Sequence, residues 1–324
     1  MFLPVSIGAI GIYSPREVQF SQELDKARGW PEGKCERQSG ISSRRKATAD
    51  ESASMMAAQA IIATGVELAR IDRLVATSIM PEQPIPTTAA LTVKRLGLKT
   101  GITAYDVNAS CLGFLQAIES AATAITSGLS KCAAVVAVEH ATLGLDERDD
   151  ATISLFGDGS AAALLTPAEG NAAILALCLE TYPEGAELCE IRAGGTRWNI
   201  RRPPPSPRDY LFHMEGSALA RLAMDRLPDF IDKALKEAGV GLSDITCVIP
   251  HQASRLGLKF LKRWIGAQGP HMIDIIADHG NQVTASLPTA LHAAINTGRL
   301  QRGDLGMMVG TAAGFGMGVM IFRY

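Results

Sequence analysis

Three residues far apart in the chain have types suited to nucleophilic and oxyanion chemistry. They are Cys111 in DVNASCLGFLQAI (106–118), His251 in CVIPHQASRLGL and Asn281 in DHGNQVTASLP. Cys111 falls between a run that reads as a strand and a run, Leu112 to Gly128, that reads as a helix. At a helix start, unpaired N–H groups and the dipole favour a thiolate and can hold an oxyanion. The competing reading is a small buried thiol without chemistry. That reading suits Cys132 and Cys247 in apolar strands and Cys178 in ILALCLE. His251 ends the strand CVIP and so faces the crevice where open α/β sheets bind ligands, although a histidine satisfied by local backbone fits as well. Asn281 follows a glycine that permits a sharp turn, with an Asx turn as its alternative. His140, His213, His271, His279 and His292 read as structural.

What positions these residues is a repeat. AYDVNASCLGFLQAIESAATAITSGLSKCAAVVAVEHA (104–141) and MIDIIADHGNQVTASLPTALHAAINTGRLQRGDLGMMVGTAA (272–313) each read strand, polar turn, small-residue helix, glycine, apolar strand. AITSG ends at Gly128 and AINTG at Gly298, an offset of 170 that carries Cys111 onto Asn281. More loosely, IDRLVATSIM and its helix TTAALTVKRLGL match SDITCVIPHQ and ASRLGLKFLKRWIG. Two βαβαβ-type copies with parallel strands under helices are expected, 1–170 carrying the cysteine and 171–324 carrying the histidine and asparagine. Their matching turns would then meet at one crevice. TRWNIRRPPPSPRD (196–209) lies between the halves, where its prolines bar a helix or central strand. Residues 15–49, polar and turn-rich, read as an excursion outside the core.

Composition excludes several classes. The 324 residues are 47% hydrophobic and 20% charged, as in an ordinary globular protein. A net charge of -2 makes the chain as a whole no nucleic-acid binder. Six cysteines without a CxxC pair suggest neither a disulfide framework nor a zinc site, so no metal is expected and a reducing, cytoplasmic setting is. The apolar N-terminus lacks a basic n-region and reads as a first strand. No apolar run reaches the ~18 residues that suggest a membrane span.

NASC followed by LGF, then FGDGSAAALL, PHQAS and HGNQVTASLP, in that order, resemble the β-ketoacyl-acyl-carrier-protein synthase III branch of the thiolase superfamily. The resemblance covers nearly the whole chain. It implies a five-layer α/β/α/β/α thiolase-like fold and a Cys-His-Asn set at Cys111, His251 and Asn281. It implies acyl transfer from a thioester to Cys111, then decarboxylative condensation with a malonyl thioester on a carrier protein. Neutral His251 and Asn281 would hydrogen-bond the enolate, which a carboxylate would repel. The oxyanion hole would be the N–H groups of Cys111 and Ala313, because the family's GGGF reads Ala312-Ala313-Gly314-Phe315. Ile85 and Phe315 would line an acyl pocket, Ile85 reaching into that of a partner subunit in a homodimer. No cofactor is implied beyond coenzyme A or phosphopantetheine thioesters as substrates.

Departures accompany the likeness. The Trp and Arg with which typical members clamp the adenine of coenzyme A align with Lys34 and Asp150. The glutamate of relatives that join two acyl chains head to head aligns with Ile85. After His251, Arg255, Lys259, Lys262 and Arg263 share one helical sector, opposite Leu256, Phe260, Leu261, Trp264 and Ile265. A solvated basic face explains that stripe; so does docking of an acidic acyl carrier protein. Two other function classes stand beside the condensing enzyme. One is a thiolase-fold acyltransferase or condensing enzyme of secondary metabolism; the other is a non-catalytic partner subunit, for which an intact Cys-His-Asn set has no chemical need.

Overall fold

The computed structural model describes residues 2–324. The N-terminal half opens with β1 (Val5–Tyr13), then β2 (Glu17–Phe20), α1 (Ser21–Arg28), α2 (Lys34–Ser39) and β3 (Ser43–Lys46). It continues through α3 (Ala53–Ile62), β4 (Arg73–Thr77), α4 (Thr88–Leu96), β5 (Thr103–Val107) and α5 (Gly113–Thr126), and closes with β6 (Ala133–Glu139), α6 (Asp150–Ile153) and β7 (Gly159–Pro167). The C-terminal half runs β8 (Ala173–Thr181), β9 (Cys189–Glu190), β10 (His213–Met214), α7 (Gly216–Ala238), β11 (Cys247–Pro250) and α8 (Arg255–Ile265). It ends with β12 (His271–Met272), α9 (Ile276–His279), α10 (Ser286–Asn296), β13 (Leu305–Ala312) and β14 (Gly316–Arg323).

The two main sheets have one topology. The first is ordered β1-β7-β6-β4-β5 and the second, read from its other edge, β8-β14-β13-β11-β12. In both, the strands carrying the site are parallel: β4 with β5 and β6, β11 with β12 and β13. The remaining pairs are antiparallel, so the sheets are mixed rather than the parallel ones expected. The reason lies in the connections. Between β6 and β7 stand only a 3₁₀ turn (Ala141–Gly144) and the four-residue α6, and β13 turns directly into β14, so neither link supplies the crossover helix a parallel pair requires.

Five layers result. Between the sheets lie α5 and α10, whose Phe114, Leu115, Ile118, Leu287 and Leu291 share a core with Val5, Ile249, Met308 and Phe322. Runs of alanine in both helices let them pack this closely. Outside the first sheet lie α3 and α4, sharing a core with its Leu74 and Val136. Outside the second lie α7 and α8, with Phe230, Ile231 and Leu261 against Val248 and Ile321. The repeat persists to the hydrogen bond. Leu129 N–H closes α5 onto the Ala124 carbonyl at 2.9 Å, and Arg299 N–H closes α10 onto that of Ala294 at 2.9 Å. Gly128 and Gly298 supply the left-handed residue that this ending requires (φ 73° and 68°).

Residues 15–49 differ from the expected excursion. Although polar, they bury Cys35, Ile41 and Arg44 and pair β2 with β3. Arg44 donates to the Ser154 carbonyl at 2.8 Å and to Gln19 Oε1 at 3.0 Å, and such bonds let a charged side chain sit inside. Residues 196–209 cross the surface, with Ile200 94% exposed.

Candidate active site

The turn that presents Cys111 is unusual in its backbone. Ser110 adopts φ 49°, a left-handed conformation that costs a non-glycine residue energy and persists only where surroundings enforce it. Asn108 Oδ1 accepts the Ser110 N–H at 3.0 Å, and the Ser110 carbonyl accepts the Gly113 N–H at 2.8 Å. Gly113, the first residue of α5, can only be glycine: a Cβ there would stand 2.0 Å from Thr77 Oγ1. The helix therefore starts hard against β4, with Cys111 immediately before its cap.

At this site the helix terminus does not set the charge of the thiol. Burial pushes Cys111 up to about 12, with the nearby Glu139 carboxylate adding to it, while the N–H groups of Ala313 and of Cys111 itself pull the other way. Desolvation outweighs the partial charges, so the resting group is a thiol and not the thiolate expected from the helix start alone. The same contacts place the Ala313 N–H against the sulfur.

His251 follows β11, its N–H bound to the Val309 carbonyl at 2.8 Å. The ring is buried, and burial pushes its pKa down to about 4, leaving a neutral imidazole above that pH. Its Nδ1 has no hydrogen-bond partner among the described residues. Gly310 makes room for it, since a Cβ there would lie 2.8 Å from His251 Cβ and 3.4 Å from Leu112 Cδ2. Asn281 stands on the matching turn of the second half, after Gly280 at φ 64°. Its Nδ2 donates to the Ala253 carbonyl at 3.2 Å and its Oδ1 accepts the Val283 N–H at 2.9 Å. Ala253 N–H in turn donates to the His251 carbonyl at 2.8 Å, so one loop orients both side chains. One amide hydrogen of Asn281 remains for another acceptor.

Other predicted residues lie further out. Phe315, at φ 43°, is buried with its ring 5.7 Å from Tyr182, in the core that α7 and α8 form on the second sheet. Cys111 instead packs against a cluster that includes Ala141, Phe156 and Val283, around which Ile79 and Leu145 also pack. Those side chains line a cavity of only about 10 Å³. A wider cavity of about 460 Å³, lined by Glu180, Tyr182, Asp225, Arg226, Asp229 and Lys233, is polar and lies on the outer side of the second sheet. Ile85 is 85% exposed on the loop between β4 and α4. On α8, Arg255, Lys259, Lys262 and Arg263 are all exposed. The apolar sector opposite is narrower than expected: Leu258, Leu261 and Ile265 are buried, but Leu256 is 58% exposed because it lies on the first turn, clear of the sheet. Lys34 and Asp150 pair with each other at 3.1 Å, and the Lys34 ammonium sits 4.0 Å above the Trp30 ring.

Sequence reasoning missed Glu139. It is fully buried at the end of β6 and accepts from Thr284 Oγ1 at 2.6 Å and from the Ile79 N–H at 3.0 Å. The signal was available: AAVVAVE ends an otherwise wholly apolar strand on a carboxylate.

Comparison with known proteins bears on the whole chain. The family described as 3-oxoacyl-[acyl-carrier-protein (ACP)] synthase III matches residues 105–183, and its C-terminal family matches 235–324. The chain is 30% identical to the beta-ketoacyl-[acyl-carrier-protein] synthase III of Coxiella burnetii over 98% of both proteins. It is 30% identical to that of Desulfitobacterium hafniense over 99% of this chain and 98% of the other. The crystal structure of 3-oxoacyl-[acyl-carrier-protein] synthase III from Aquifex aeolicus superposes with a TM-score of 0.87 at 29% identity, covering 99% of this chain and 100% of that one.

Proposed function

This chain belongs to the β-ketoacyl-acyl-carrier-protein synthase III family of acyltransferases, and from that premise we propose how its residues divide the reaction. Cys111 sulfur attacks an acyl thioester, the new thioester forms, and the thiol proton leaves on the departing pantetheine sulfur. A malonyl thioester then loses carbon dioxide, while His251 and the free amide hydrogen of Asn281 hold its carbonyl oxygen as enolate charge grows. The carbanion bonds to the acyl carbon, the β-ketoacyl thioester leaves, and Cys111 regains a proton from solvent. The N–H groups of Cys111 and Ala313 receive the oxyanion of each acyl-transfer step. The acyl chain enters among Ile79, Leu145, Phe156 and Val283, which must part to admit it. No cofactor takes part; coenzyme A or phosphopantetheine thioesters are the substrates.

The observation that carries this reading is the backbone N–H of Ala313, some two hundred residues away in the chain, directed at the buried Cys111 thiol. Incubation with acyl thioesters should add the acyl mass to Cys111, and C111S should abolish the adduct while the fold stays intact. An adduct on another cysteine removes the assignment. A transferase passing its acyl group to oxygen or nitrogen would acylate Cys111 yet release no carbon dioxide from a malonyl thioester. We further assign an acidic acyl carrier protein to the basic face of α8, a cytoplasmic setting, and a homodimer in which the exposed Ile85 is covered by the partner. Sedimentation as a monomer at micromolar concentration would refute the dimer.

A further inference from the structure

Directly behind the nucleophile lies a carboxyl group that the reaction above does not use. Glu139 sits at the seam between the two halves. Its oxygens accept from Ile79 N–H and, at 3.4 Å, Ser78 Oγ on the turn after β4, and from Thr284 Oγ1 on the turn before α10. All three donors are neutral, and among the described residues no cation pairs with it. The same Thr284 abuts the nucleophile turn, since a Cβ on Gly113 would lie 3.3 Å from its methyl group. Of ionisable groups, Cys111 faces Glu139 across that turn, with Cys189 beyond it as a buried thiol pushed up to about 12. A carboxylate that is buried, uncompensated and set beside a nucleophilic sulfur has a structural cost that only a paired or protonated state relieves.

We propose that Glu139 is a positioning residue for Cys111: held neutral by its proton it permits negative charge on the sulfur, and when it ionises it suppresses the thiolate. The inference rests on the reading of Cys111 as the nucleophile. Burial pushes Glu139 up to about 8, against the pull of hydrogen bonds from Thr284, Ile79 and Ser78. The two groups then hold one negative charge between them, and their titrations couple. Below about pH 8 the carboxyl is neutral, and the thiolate fraction grows tenfold per pH unit. Above it the carboxylate appears first, and that growth stalls.

Iodoacetamide alkylation of Cys111, followed by peptide mass between pH 6 and 10, reads this directly and needs no acyl substrate. In the parent protein the rate should rise with pH and bend near 8. E139Q should remove the bend, so that at pH 9 it alkylates about tenfold faster than the parent while matching it at pH 7. E139D should restore a bend, which a purely structural role would not produce. If E139Q does not fold, T284V decides. It keeps the shape against Gly113 but deletes the donor that favours the ionised form, and it should move the bend to higher pH. Superimposed profiles for parent and E139Q, or an unmoved bend in T284V, overturn the inference. Failure to find acyl adducts on Cys111 would instead defeat the functional reading and leave these profiles as they stand.

Discussion

The buried seam and the outer rim obey different physics. At the seam, Cys111, Glu139, His251 and Asn281 are held by backbone hydrogen bonds from both halves, and burial is the largest of the causes that move three of them far from their ordinary protonation. At the rim, Lys34, Asp150 and the basic residues of α8 stand in water, and the Arg255 stem lies over Gly40 at the end of α2. An exposed ion pair such as Lys34–Asp150 is worth ~0–1 kcal/mol. A misplaced buried group costs several times that. The lesson is one of tolerance: a rim pair such as Lys34–Asp150 can change at little cost, whereas the seam admits few substitutions.

The sharpest way to break this contrast is at Asn281. N281A should still acylate Cys111 yet lose carbon dioxide release by ~2–4 kcal/mol of barrier, as for one missing oxyanion donor. Unchanged release would take Asn281 out of the mechanism. Next comes acid stability. The folded value of His251 lies near 4 against 6.5 for the free side chain. Between those limits the unfolded chain accepts a proton that the native site refuses. Stability should therefore fall as pH drops through that window, by up to roughly 3 kcal/mol, and this contribution should level off below it. H251N should lack that part of the slope in denaturant titrations, and an identical acid slope would mean the imidazole is not held neutral by burial. Smallest is the rim. K259E with R263E should raise KM for carrier-bound substrate a few-fold at low salt and hardly at all at high salt, leaving kcat alone. A loss of kcat would erase the distinction between the two regions.

Much of this was legible in one dimension. The 170-residue offset between AITSG and AINTG pairs α5 with α10, and both helices end in the same hydrogen bond. Small residues, glycine stops and apolar strands are local signals, and local signals survive in sequence. The Cys111, His251 and Asn281 turns could be named for the same reason, since each stands at a change of periodicity. Glu139 could not be assigned a partner that way, because Thr284 lies 145 residues distant and the two meet only when the halves stack. Phe315 likewise was read from its motif neighbours, while its ring direction depends on Tyr182 and a core built by α7.

The duplicated order of strands and helices and the residue types at each turn are local properties, because periodicity and turn chemistry act over a few residues. Tertiary structure alone decided the protonation of those residues. Helix-start chemistry favours a thiolate at Cys111, yet burial between two sheets pushes the thiol up to about 12 and the imidazole of His251 down to about 4. Desolvation is a property of everything that surrounds a group, and what surrounds Cys111 is assembled from segments as distant as Ala313 and Glu139.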